Sequence, residues 1–305
     1  MSSYGEPVER LAGYFADRPT RAGLLARAAL GRLAPGDDAL REQLIARLRA
    51  DTRPDGSVGG AVLPTAWRAL ELMDLGHAGD EPGTVRAVNW LLTVQGKPGA
   101  FGEGCTPDRH RHKVCEHYMS GFFAPAPASH RVAPITFPTG KVFRVEGPAR
   151  FAVSALVLRA VLRAGHAKRP LVAQHVVSVG RLLPVWERWE VYFPPDLLAT
   201  ALGALGHAGE EQRPTLDRML GIVAEHQQAD GTWAEADLFH VLEALLAVHE
   251  GTHADEVRAL ARRAVPALEA KQRPDGTYGP TAREERALIA LRTLLLAQED
   301  EFAPI

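Results

Sequence analysis

A short loop pattern recurs along the chain and constrains its fold more than any other feature. Gln95-Gly-Lys-Pro-Gly99-Ala-Phe101, Gln227-Gln-Ala-Asp-Gly231-Thr-Trp233 and Gln272-Arg-Pro-Asp-Gly276-Thr-Tyr278 share one order: Gln, three residues, Gly, one residue, aromatic. Thr52-Arg-Pro-Asp-Gly56-Ser-Val58 is the same loop without its Gln and its ring, and weaker copies cover residues 136–142 around Gly140 and 180–186 ending at Trp186. The starts at 52, 95, 136, 180, 227 and 272 lie 41 to 47 residues apart, a period at which repeat architectures are built.

Each loop sits between two helical patterns. Pro-Asp-Gly and Asp-Gly are turn chemistry, because Gly supplies positive φ and Asp caps the following backbone. The segments after the loops, 65–75, 149–163, 197–205, 238–248 and 283–296, are apolar around much of their circumference, which predicts buried inner helices. The segments before them, 39–49, 84–94, 171–183, 216–225 and 255–271, carry Arg and Glu on one face, which predicts an outer layer. Outer and inner helices alternating around six loop copies describe an all-α (α/α)6 toroid in one domain, residues 1–305, with a short helical lead-in before Pro35. Gly76-His77, Gly165-His166 and Gly206-His207 follow inner helices. A glycine there takes the left-handed cap conformation and the His meets the negative end of the helix dipole, so His77, His166 and His207 are assigned to capping.

Composition excludes several classes. The 305 residues carry 35 basic against 37 acidic side chains, with no excess of Lys and Arg for a nucleic-acid footprint. The most apolar stretch, 151–164, is interrupted by Arg159 and Arg163 and is too short to span a bilayer. The opening residues show no charged-then-apolar signal pattern. Two cysteines make no disulfide framework. These features predict a soluble cytoplasmic protein with no transmembrane segment and no nucleic-acid partner.

Gln-x3-Gly-x-Trp is the repeat of squalene and oxidosqualene cyclases, and the six-fold layout resembles the wider prenyltransferase and terpene-cyclase repeat superfamily from about residue 39 to 297. The resemblance implies that Gln95, Phe101, Gln227, Trp233, Gln272 and Tyr278 tie neighbouring repeats together. It also implies a central cavity that accepts a small apolar, isoprenoid-type substrate. Class II terpene cyclases protonate a double bond with the middle acid of Asp-x-Asp-Asp, which requires a carboxylic acid kept protonated in an apolar pocket. This sequence has neither that motif nor an Asp-Asp-x-x-Asp diphosphate site. Its nearest approach is Glu235-Ala236-Asp237-Leu238, with Asp237 in the middle-acid slot and Asp196 as its counterpart one repeat earlier. An Asp immediately before a helical run is also a favoured N-cap.

An irregular insertion at 103–147 breaks the third repeat. A long insertion inside a compact repeat is functional or disordered, and Phe122, Phe123, Ile135, Phe137, Val142 and Phe143 argue against disorder. Cys105, His110, His112, Cys115 and His117 crowd into thirteen residues. Thiolates and imidazoles together suit zinc. Protein prenyltransferases place Asp-x-Cys as two zinc ligands at an inner helix start after a Gly-Gly-Phe loop, and Cys115 and His117 occupy the corresponding slots after Gly99-Ala-Phe101. Cys105 with His110 or His112 completes the expected set. Without metal, Cys115 or Cys105 is a candidate nucleophile with His117 as its base. The basic residues Arg109, Arg111, Lys113, Arg131, Lys141 and Arg144 suit a diphosphate or a solvated loop. Trp186, Trp189, Tyr192 and Phe193 suit carbocation stabilisation or repeat packing.

Two functions follow. One is a terpene cyclase-like or prenyltransferase-like enzyme, zinc-assisted by the Cys/His segment, with Asp237, Cys115 and His117 as its catalytic candidates. The other is a non-catalytic binding or scaffold toroid whose metal site is structural.

Overall fold

The computed structural model describes residues 5–94, 132–189, 194–252 and 255–299. Outer and inner helices alternate in pairs. These are α1 (Gly5–Phe15) with α2 (Arg21–Ala29), α3 (Asp37–Ala50) with α4 (Val62–Asp74), and α5 (Pro82–Thr93) with α6 (Glu146–Arg163). Next come α7 (Pro170–Gly180) and the short α8 (Leu183–Trp186) with α9 (Pro195–Leu205), α10 (Arg213–Glu225) with α11 (Leu238–Thr252), and α12 (Asp255–Lys271) with α13 (Arg283–Gln298). A hairpin of β1 (Ile135–Thr136) and β2 (Val142–Phe143) precedes α6, with Ile135 opposite Phe143.

The two layers differ as their patterns predict. In α9 every residue is buried, and in α6 burial is continuous from Ala149 to Leu162. Outer α12 instead buries Val257, Leu260, Ala261, Ala264, Val265, Ala267 and Leu268, one face at helical spacing. Around the ring α2 packs on α13, α13 on α11, α11 on α9, α9 on α6 and α6 on α4. The remaining seam, between α4 and α2, is bridged by an ion pair from Arg21 to Asp74 at 2.6 Å. A satellite apolar cluster of Leu24, Ile45, Leu72 and Leu75, separate from the main core, joins α3 to the same seam.

The segment before Pro35 is therefore not a lead-in. Helices α1 and α2 form a complete pair and supply the sixth inner helix of the ring. The weak loop copy at 136–142 is the hairpin, and the copy at 180–186 is a helix end followed by α8.

The strong loops share one construction. Asp55, Asp230 and Asp275 each accept through Oδ1 from the backbone N–H two residues on, at 2.9, 2.9 and 3.0 Å, which is the Asx turn. The glycine that follows is left-handed and lies hard against the outer helix of the next repeat. A Cβ on Gly56 would stand 2.2 Å from the Arg86 carbonyl oxygen of α5, and one on Gly231 would stand 2.2 Å from that of Arg263 on α12. One on Gly276 would stand 2.8 Å from the Arg10 oxygen of α1. Gln227 Nε2 donates across the same boundary to the Leu260 carbonyl at 3.2 Å, and Gln272 Nε2 donates to the Pro7 carbonyl at 3.0 Å. The last loop thus seats on the first helix and closes the ring. Trp233 Nε1 donates to the Val223 carbonyl at 2.8 Å, and Tyr278 is fully buried with its ring 5.2 Å from that of Phe239.

Two of the three Gly-His turns are caps. Gly76 and Gly165 are left-handed, and the N–H groups of His77 and His166 reach back to the Leu72 and Val161 carbonyls, the Schellman arrangement. Gly206 has negative φ instead and lets α9 approach α11, since a Cβ there would lie 2.7 Å from the Val248 Cα.

Candidate active-site cavity

The starts of the inner helices converge at one rim under the hairpin. Asp237 accepts through Oδ1 from the N–H groups of Phe239 and His240, at 3.0 and 3.1 Å, and so caps α11. Its Oδ2 accepts from Arg286 of α13 at 3.0 Å, and Arg286 Nε donates to the Thr139 carbonyl of the hairpin at 2.8 Å. Asp196 is fully buried, accepts from the Asp237 N–H at 2.8 Å and pairs with Lys141. His240 bridges Thr139 and Thr200 through its two ring nitrogens, and the rings of Phe137 and Phe143 meet it edge-on. Burial disfavours its charged form, so its pKa lies below the ordinary imidazole value even with Asp196, Glu243 and Asp237 near.

Asp237 thus sits where the motif spacing puts it, at an inner helix start. Both of its oxygens are engaged as acceptors, and it lines none of the cavities described below. Lys141 ties the hairpin to Asp196 rather than facing a phosphate site. Cys105, His110, His112, Cys115 and His117 lie outside the described residues, as do Gln95, Phe101, Tyr192 and Phe193. Among the described residues no group of three or more His, Cys, Asp or Glu side chains is placed to hold a metal ion. Trp189 stacks on His226 with ring centroids 4.6 Å apart and donates to the Ala234 carbonyl, while the Trp186 ring meets Phe151 edge-on. Both are packing contacts between repeats.

The axis of the ring is filled by ion pairs that the sequence does not reveal. Arg163 and Arg21 hold Asp74 between them at 2.6 Å each, and Arg163 also pairs with Glu250. Arg21 reaches Glu285 at 2.5 Å, and Arg159 reaches Glu243 at 2.5 Å. Burial works against the Asp74 carboxylate, but Arg163 and Arg21 outweigh it and hold its pKa below the usual range. For Glu285 burial prevails over Arg21 and its pKa is raised. The free space left on the axis is about 30 Å³, room for a water and not for an organic ligand.

Toward the start of α2 the space opens into a cavity of about 850 Å³. Its wall is formed by Tyr14 and Arg18 at the end of α1 and beyond it, Arg21 of α2, Trp67 and Glu71 of α4, and the segment from Asp275 to Glu285 that leads into α13. The Arg18 guanidinium lies 3.9 Å above the Tyr14 ring and that of Arg21 lies 5.5 Å from the Trp67 ring. Arg21, Trp67 and Glu285 line both spaces, so the paired charges of the axis form the cavity floor. For Glu71, burial outweighs the opposing influence of Arg21 and Arg68, and with Asp74 close by its pKa is raised.

The fold has solved counterparts. The type II terpene cyclase MstE from Scytonema, in a variant bound to geranylgeranyl dihydroxybenzoate, superposes with a TM-score of 0.58 at 15% identity, covering 96% of this chain and 97% of that one. The apo form of MstE gives 0.57 at 14% identity over 97% and 98%. A protein from Actinoplanes gives 0.60 at 17% identity over 97% and 99%. No family model matches the sequence, and no curated protein matches it. The chain therefore has the terpene cyclase-like α/α toroid fold. None of its helices, among the described residues, is long and apolar enough to cross a membrane.

Proposed function

We propose that this chain is a cytoplasmic terpene cyclase-like enzyme that holds an apolar isoprenoid-type substrate at the mouth of the ring. The observation that carries this reading is the cavity of about 850 Å³, which falls within the size range of small-molecule sites. Trp67 and Tyr14 line it together with the half-buried, ion-paired carboxylate of Glu285. Rings of this kind stabilise positive charge through their faces, and a desolvated floor strengthens every electrostatic interaction above it. The ion-paired axis directs the substrate to the mouth rather than along the ring centre. Incubation with geranylgeranyl dihydroxybenzoate, the ligand named for the MstE complex, followed by mass spectrometry, tests the reading. A cyclised isomer that Trp67→Ala reduces supports it. No conversion and no quenching of tryptophan fluorescence by this probe overturns it.

A second reading, a non-catalytic binding or scaffold toroid, is favoured by one specific observation, the engagement of both Asp237 oxygens in a cap and an ion pair. Binding of the probe without any conversion selects it.

Zinc on the Cys/His segment belongs to the same proposal. Two thiolates and three imidazoles are a donor set that suits this ion, and bound zinc would supply Lewis-acid chemistry or close the irregular repeat. Metal content of the purified chain beside Cys115→Ser tests it. About one zinc per chain, lost in the variant, is the expected result, and metal-free protein in both samples removes zinc from the proposal.

A further inference from the structure

The cavity wall carries more acid than base. Arg18, Arg21 and Arg283 face Glu71, Asp275, Glu284 and Glu285. Three pairs close at hydrogen-bond distance: Arg18 with Glu284 at 3.0 Å, Arg21 with Glu285 at 2.5 Å, and Arg283 with Asp275 at 2.5 Å. Glu71 is left over. Its nearest cationic atoms are Arg21 Nε and Arg68 Nε, each at 3.6 Å, beyond a good hydrogen bond.

Both guanidiniums are shared with other acceptors. Arg21 is already held by Glu285 of α13 and by Asp74 of α4. Arg68 donates to the Leu48 carbonyl and lies 3.7 Å from Asp51 behind it, and its Nε finds no hydrogen-bond partner among the described residues. Trp67 lies one helical turn away on the same face of α4 and lines the same cavity. Only 20% of the Glu71 side chain is exposed. A carboxyl that is shielded, in excess and loosely paired is the member of such a cluster that takes up a proton.

We propose that Glu71 is the proton donor of this cavity, acting on an alkene of the bound isoprenoid chain. The assignment rests on the proposed function. In the step, the Glu71 O–H bond breaks and the π pair of the alkene forms a new C–H bond, leaving a carboxylate and a tertiary carbocation beside Trp67. The π pair of a second alkene closes the ring. Loss of a proton from the carbon next to the cation gives a neutral cyclic isomer, and that proton restores the acid directly or through water. The net reaction is an isomerisation and needs no co-reactant.

The test compares wild type, Glu71→Gln and Glu71→Asp with geranylgeranyl dihydroxybenzoate in D2O. Glutamine preserves size and polarity, so thermal melting and quenching of fluorescence by the probe show whether fold and binding survive. The expected result is unchanged binding, a conversion rate lowered about 100-fold or more in Glu71→Gln, partial recovery in Glu71→Asp, and one non-exchangeable deuterium in the wild-type product. Equal conversion by wild type and Glu71→Gln overturns the assignment and leaves the proposed function standing. A pH titration of tryptophan fluorescence, wild type minus Glu71→Gln, is read without substrate. A midpoint above the ordinary glutamate value supports Glu71 as the proton-carrying group even if this probe is not converted, in which case only the proposed function fails. A midpoint at or below about 4.3 overturns the assignment by itself.

Discussion

At Asp237 a single carboxylate serves two masters, the free N–H groups of α11 and the guanidinium of Arg286. Replacing it with alanine removes the cap and strands Arg286, at a cost of about 1–2 kcal/mol, read as a lowered melting temperature. Asp237→Asn keeps a side-chain oxygen for the cap, and conversion of the isoprenoid probe is expected to persist in it. Loss of conversion in a folded Asp237→Asn protein would return the acid role to Asp237. The cap was legible in the sequence, because an Asp directly before an apolar helical run is a local signal. Glu71 was not, since its burial and its contact with Arg21 of α2 arise only when the ring is assembled. One clue did lie in the open: charged residues such as Arg159 and Arg163 inside a stretch otherwise fit for burial need partners of opposite sign. They find Glu243, Asp74 and Glu250.

Among the elements, the loops are the most legible part of the molecule and the least tolerant of change. Gly231 combines a φ of 86° with a carbonyl oxygen 2.2 Å from where a Cβ would lie. Gly231→Ala is expected to lose about 1–3 kcal/mol from backbone strain alone, and more from the clash, as measured by chemical denaturation. Gly165→Ala, with a similar φ and nothing within 4 Å of the added carbon, should lose less. If the two variants melt together, the close approach to α12 is not what the loop glycine provides. Helices α1 and α2 carry no repeat signature because the turn between them, Asp17-Arg18-Pro19-Thr20, has neither the Gln nor the glycine. It caps α2 instead through the Thr20 hydroxyl, which accepts from the Gly23 N–H at 3.1 Å. The α4–α2 seam was invisible for a related reason: its Arg21 pairs with residues far away in the chain, which no local pattern records. Amide exchange in α3, held by the small satellite cluster, is expected to be faster than in the fully buried α9.

For the whole molecule, buried titratable groups set the response to acid. Burial, reinforced by Arg159 and Arg163, lowers the His207 pKa to about 3, and burial lowers that of His175 to about 4. The unfolded chain binds these protons near the ordinary imidazole value of about 6.5. Between that pH and about 3 the unfolded state therefore holds more protons, and stability falls as pH falls. Asp37 acts in a lower window. The Arg27 hydrogen bond holds its pKa at about 2 against burial, so its contribution is complete above the ordinary aspartate range and is lost as pH drops toward 2. Melting curves against pH should show both windows, with His207→Gln flattening the upper and Asp37→Asn the lower. An unchanged upper window in His207→Gln would assign that loss to other groups. The closure of the last loop onto α1 has a mechanical consequence as well. An open solenoid frays from its terminal units and needs special caps to hold them, whereas here Gln272 and Gly276 make the first repeat the neighbour of the last. Each unit is flanked on both sides, so unfolding has no preferred end at which to begin and must first break a joint.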